Sequence, residues 1–272
     1  VGVAALVLAT VGRQLGISRF LAPGVGIREA VLLELAEAVD DAPGHGDSEK
    51  DKAVVTAARA FASRVDHDTS HGEQVRRLAR ALFAQLRDLH QLPDRLGVVL
   101  EVAALLHDVG EVVHTRGHHK HSEYMIRWGR IPGLSDADRE LVATLARGHR
   151  KSASEAKRVI AESTLPKDQR TPARRLLALL RLADGLDSGH RQRFEGVVAS
   201  RAGTAVVLDL VTTAESIGPI DSAELLRKRD LFEEEFGCAL QVTIGRPVLP
   251  PELGEVTRDG GSVGRALGRR AP

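Results

Sequence analysis

"DRLGVVLEVAALLHDVG" (residues 94–110) decides the fold. Its apolar residues recur at three- and four-residue spacing, the period of a helix that buries a face. The run ends in His107-Asp108, and Val109-Gly110 gives the helix a place to stop. Neighbouring helical residues diverge by about 100°, so two adjacent side chains meet at one ion only where the helix unwinds. A His-Asp pair here is either a capping or surface pair, or a pair of ligands.

The same period runs through most of the chain on both sides. KAVVTAARAFASRV, HGEQVRRLARALFAQLRDLH, SEYMIRWGR, DADRELVATLARGHR, SEAKRVIAEST and TPARRLLALLRLADGLD all read as amphipathic helices. Ser135 with Asp138 resembles a capping arrangement, and Pro172 suits a first helical turn. The expected fold is mainly α, a helical bundle over 52–191. The polar, Gly/Pro-bearing stretch 40–51 reads as a linker. Before it, 1–39 reads as a small αβα piece, with GISRFLAPG as its strand. The chain starts on VGVAALVLAT without Met and is expected to be the tail of something larger. After the bundle, FEGVVASRAGTAVVLDLVT alternates like a β-hairpin, SAELLRKRDLFEEEFG reads as a helix ending at Gly237, and CALQVTIG as a strand. Residues 192–245 thus form a small α+β module. The Pro/Gly/Arg-rich 246–272 is expected to be a disordered tail.

Composition narrows the function. Of 272 residues, 43% are hydrophobic, 28% charged and only 3% aromatic, so the core is built from Leu, Val, Ala and Ile. A formal net charge of +1 gives no global field for nucleic acid or membrane. The single cysteine, Cys238, excludes an intrachain disulfide and a Cys-based zinc knuckle, and fits a reducing cytoplasm. No apolar stretch is long enough to cross a membrane.

Four side chains on separate helices stand out: His71, His107 with Asp108, and Asp184. A bundle can gather such residues into its interior to hold a metal, and imidazole with carboxylate suits Mn, Fe, Mg or Zn. The order H…HD…D, carried by HGEQVRRLARAL, LLHDVG and LLRLADGLD, resembles the HD-domain metal-dependent phosphohydrolases. The resemblance implies that His71, His107, Asp108 and Asp184 bind a divalent metal that activates a water, with His107 and Asp108 at the catalytic centre. HD proteins with two metals use further histidines between the HD pair and the last Asp. His119, His121 and His149 fit that role by order; the alternative is that RGHHKH is a basic surface turn. Glu111 stands where many HD enzymes carry a Lys, so a cationic helper is missing at that position. Of the basic residues near these motifs, Arg150 and Lys151 are favoured as phosphate contacts, with Arg116 and Lys120 beside them.

GHHKHSEYMI, ATLARGHRKS and LLRLADGLD together look like the C-terminal part of the exopolyphosphatase/guanosine pentaphosphate phosphohydrolase (Ppx/GppA) family. LGISRFLAPGVGIREAVLLEL is similar to the end of that family's second actin-like domain, and DLFEEEFGCALQV to the module that closes its longer members. The resemblance implies that 1–39 is a remnant of an actin-like domain ahead of an HD-type helical domain. The glycine-rich phosphate loops of the actin-like domains do not appear here. Two functions are therefore open. One is a cytoplasmic metal-dependent phosphohydrolase acting on polyphosphate, pppGpp or related phosphate anhydrides and esters. The other is a non-catalytic module that binds polyphosphate and forms a homodimer. Neither implies a membrane or sequence-specific nucleic acid.

Overall fold

A computed structural model of the protein describes residues 47–65, 68–212, 225 and 227–245. The expected αβα piece at 1–39, with its strand, and the expected tail at 246–272 lie outside the described residues. Nine α-helices, two short 3-10 helices (Val109–Val112 and Lys167–Gln169) and one three-stranded sheet are seen among the described residues. The α-helices are α1 (Asp47–Val65), α2 (Ser70–Gln85), α3 (Arg87–His90), α4 (Arg95–Leu106), α5 (His118–Trp128), α6 (Asp136–Gly148), α7 (Ala153–Glu162), α8 (Arg170–Leu186) and α9 (Asp230–Phe236). The strands are β1 (Gly196–Ala202), β2 (Ala205–Val211) and β3 (Ala239–Gly245).

The chain is mainly α, as the periodicity predicts. Three boundaries differ from expectation for physical reasons. The linker expected at 40–51 ends early, because α1 already begins at Asp47. Glu49 there is exposed and pairs with Lys52 at 2.5 Å. The single helix expected over 71–90 breaks at Leu86, and His90 closes the following turn. Its ring bonds Phe83 O at 2.8 Å and accepts from Leu92 N at 2.9 Å. Finally, only Arg116-Gly117 of RGHHKH form a turn: α5 starts at His118, after Gly117 at φ +86°.

The core lies where α2, α4, α6 and α8 meet. Leu78, Leu82, Leu100, Leu106, Leu145, Leu176, Leu177 and Leu179 are buried there. Ser135 caps α6 by accepting from Asp138 N at 3.1 Å. β1 and β2 form an antiparallel hairpin that turns at Gly203 (φ +61°), and β3 runs parallel beside β2. Val206, Leu208 and Leu210 alternate inward along β2. The sheet is tied to the bundle by Gln85 of α2, whose amide donates to Val197 O at 2.9 Å and accepts from Ala199 N at 2.8 Å. No helix among the described residues is long and apolar enough to cross a membrane.

Candidate metal centre

Helix ends build this site. His71 sits in the first turn of α2, His107 caps α4, His118 opens α5, His149 caps α6, and Asp184 lies in the last turn of α8. The interior ends of five helices thus deliver their side chains to one point.

Each imidazole is held the same way. Nδ1 of His107, His118 and His149 lies 2.8, 3.0 and 2.7 Å from the carbonyl three residues earlier, of Ala104, Thr115 and Ala146. His71 Nδ1 lies 2.9 Å from Asp187 Oδ2. A carbonyl or carboxylate only accepts, so Nδ1 carries the proton in all four rings when neutral. That leaves every Nε2 with a lone pair.

The four Nε2 atoms converge on two carboxylates. His71 Nε2 is 3.5 Å from Asp184 Oδ1 and 3.8 Å from Asp108 Oδ2. His107 Nε2 is 3.4 Å from Asp108 Oδ2 and 3.8 Å from Asp184 Oδ1. On the other side of Asp108, Oδ1 is 3.1 Å from His118 Nε2 and 3.2 Å from His149 Nε2. Those two nitrogens are themselves 3.2 Å apart. Four ligands at about 2.1 Å from a tetrahedral ion stand about 3.4 Å from one another, so these edges fit first-row metal coordination. His71 Nε2, His107 Nε2 and Asp108 Oδ1 are buried without a hydrogen-bond partner. Buried polar atoms are rarely left so, and the donor set fits a divalent ion at each position.

Electrostatics agree. Burial works against the charge on Asp108, but His107, His118 and His149 outweigh it and hold the carboxyl well below the usual range. For Asp184, burial is likewise outweighed by Lys228, His107 and His71. Burial opposes protonation of His71, but Asp184 and Asp187 raise its pKa to about 9. Burial also opposes that of His118, whose pKa Asp108 raises nonetheless. His149, fully enclosed, is pushed down by burial despite Asp108.

The structure brings His71, His107, Asp108, Asp184 and His149 together, and it differs at the other two expected histidines. His118, not His119 or His121, faces Asp108. The reason is the phase of α5. Gly110 N donates to Ser122 Oγ at 2.9 Å, and any Cβ at Gly110 would collide with the backbone of His118 and Ser122. This contact seats the first turn of α5 on the HD turn and aims its first residue inward. His119 is buried in the wall of the cavity that His118 and His149 line, with neither ring nitrogen hydrogen-bonded, and burial with nearby Arg147 and Lys151 drives its pKa to about 3. His121 lies against Gly110. Sequence reasoning also missed Asp187, His190 and Lys228. His190 stacks on His71 with ring centroids 3.7 Å apart.

The centre opens into a cavity of about 920 Å³. Arg116, Arg150 and Lys151 lie on its wall with His118, His149 and Lys228. Lys120 is exposed and is not part of that wall. Arg181 is not a surface cation either. It is 1% exposed and donates to His149 O, Lys151 O, Arg227 O and Asp230 Oδ1.

The sequence profile for domain III of the Ppx/GppA phosphatases matches residues 55–212, more than half of the chain. The chain belongs to the Ppx/GppA phosphatase family. The matched span runs from α1 through β2 of this Ppx/GppA member and contains every candidate ligand named above. Curated relatives include the guanosine-5'-triphosphate,3'-diphosphate pyrophosphatase of Vibrio vulnificus, 28% identical over 192 residues (69% of this chain, 35% of that protein). The same-named protein of Vibrio campbellii is 25% identical over 224 residues (80% and 41%). That of Vibrio parahaemolyticus is 30% identical over 168 residues (60% and 32%). The chain thus spans roughly a third to two fifths of the length of these relatives.

Proposed function

We propose that this chain is a metal-dependent phosphohydrolase of the HD type, acting on polyphosphate, pppGpp or related phosphate anhydrides and esters. One observation carries the reading: four imidazoles, each locked through Nδ1, present Nε2 to two carboxylates at coordination spacing. His71, His107, Asp184 and Asp108 would hold one divalent ion. Asp108, His118 and His149 would hold a second. Such ions polarise a phosphoryl oxygen and lower the pKa of a water. The family and the relatives' printed activity support phosphate chemistry.

The rest of the work falls to the chain's own residues. Arg150, Lys151 and Arg116 on the cavity wall bind and orient the phosphate chain by charge-assisted hydrogen bonds. Arg181 fixes the loop that carries His149 and Lys151 through their carbonyls. Asp187 holds the tautomer and tilt of His71.

The test is direct. The purified chain is loaded with Mn(II) or Fe(II), its metal content measured, and polyphosphate, pppGpp and a generic phosphodiester are offered. Stoichiometric metal and turnover abolished by Asp108→Ala support the reading. Absence of metal uptake sinks it. Metal without turnover, joined to salt-sensitive polyphosphate binding and a dimer on gel filtration, would favour the binding module. The relatives' greater length leaves room for that outcome, since they carry chain beyond the match.

A further inference from the structure

The proposed function gives no role to Lys228. Lys228 lies outside the span matched by the family profile, yet its ammonium contacts Asp184 Oδ2. The lysine is 7% exposed, and it lines the same cavity as Asp108 and His149. The opposite oxygen, Asp184 Oδ1, is the one that faces His71 and His107.

Its placement is built, not incidental. Arg181, one turn before Asp184 on α8, donates to Arg227 O at 3.1 Å and to Asp230 Oδ1 at 2.6 Å. Asp230 Oδ2 in turn accepts from Ala153 N at 2.9 Å, at the start of α7. These bonds pin 227–230 against the bundle on both sides of Lys228. Gly185 completes the arrangement. A Cβ there would stand 3.2 Å from Lys228 Cβ and 3.3 Å from its Cδ, so the missing side chain lets the lysine stem lie along α8.

We infer that Lys228 is a positioning residue of the metal centre, holding Asp184 so that one oxygen, Oδ1, is presented to the ion. A carboxylate with both oxygens available can chelate one ion, which changes its coordination number and takes up a position that water or phosphate would use. With Oδ2 held by an ammonium, Asp184 stays a one-oxygen ligand. The inference rests on the metal-dependent reading of the centre.

Co(II) separates the two ideas, because its visible absorption is intense at four-coordinate sites and weak at six-coordinate ones. The full chain is loaded with Co(II) as wild type, Lys228→Met, Lys228→Gln and Lys228→Arg, and folding is checked by far-UV circular dichroism. If the wild type takes up no Co(II), the metal reading itself fails. If it does, Lys228→Met and Lys228→Gln are expected to bind Co(II) with an absorption band altered in intensity and position. They should also lose about tenfold or more in kcat, with a smaller change in KM. Lys228→Arg, which keeps the charge and the donor, should restore the wild-type band. Folded Met and Gln variants with the wild-type band and kcat would overturn the inference. So would an arginine variant that resembles them instead of the wild type. Should Met fail to fold, the Gln and Arg pair decides alone.

Discussion

Oδ1 of Asp108 lies 3.1 Å from Nε2 of His118, while the other oxygen of the same carboxylate faces His71 and His107. One side chain thus serves two sets of imidazoles. If both sets hold ions, replacing His118 should remove one and leave the other. Metal analysis is expected to give about two ions per wild-type chain and about one in His118→Ala. His121→Ala should retain both, because His121 packs on Gly110 rather than on Asp108. Equal metal loss in the two variants would refute the assignment of His118.

That contrast shows where the sequence stops being legible. The grouping of His71, His107, Asp108 and Asp184 came from the resemblance carried by HGEQVRRLARAL, LLHDVG and LLRLADGLD, and the structure brings these four side chains together. The histidines of GHHKH could not be ranked, because the phase of α5 depends on a backbone contact with Gly110. Gly117 before His118 was the available signal, a left-handed start that makes His118 the first helical residue. Lys228 left no signal at all. It reaches Asp184 across a long stretch of chain, through ties made by Arg181 and Asp230. The β1–β2 hairpin was legible from alternation, but the parallel pairing of β3 with β2 joins strands far apart in the chain and left no such pattern.

Asp187 is the next point of leverage. It holds His71 Nδ1 at 2.9 Å and accepts from Gln192 N at 2.8 Å. Asp187→Asn keeps the shape and removes the charge that favours one tautomer. Such partners of ligating histidines are worth about 10–100-fold in metal affinity. A competition titration with a chelating dye should show a loss in that range. An unchanged affinity would mean that His71 is not a ligand.

Gly110 sets the approach of α5 to the HD turn. In Gly110→Ala the new methyl meets the backbone of Ser122 and His118, which cannot move aside as a flexible side chain would. Overpacking of this kind costs about 1–3 kcal/mol. Urea unfolding should show that loss. Metal content should fall at the His118–His149 position first, because His118 moves with α5.

Stability against pH follows from the histidines of the centre. In chelator-treated protein His71 has a pKa of about 9, raised from 6.5, with burial opposing and Asp184 and Asp187 prevailing. A raised histidine pKa gives stability that is complete below the unfolded value and is lost as pH climbs through the folded one. Between pH 6.5 and 9 His71 should therefore forfeit on the order of 3 kcal/mol. His118, also raised, acts in the same direction. His119 has the opposite sign. Burial, Arg147 and Lys151 depress it to about 3, so the unfolded chain takes up a proton that the folded chain refuses, and stability falls as pH drops below 6.5. His149, lowered by burial, adds to that acid limb. Thermal melts of the stripped protein should thus peak near neutral pH and decline on both sides. Saturating Mn(II) should flatten the alkaline decline, because an ion at His71 Nε2 displaces the proton whose loss causes it. An alkaline limb that Mn(II) leaves unchanged would separate His71 from the metal.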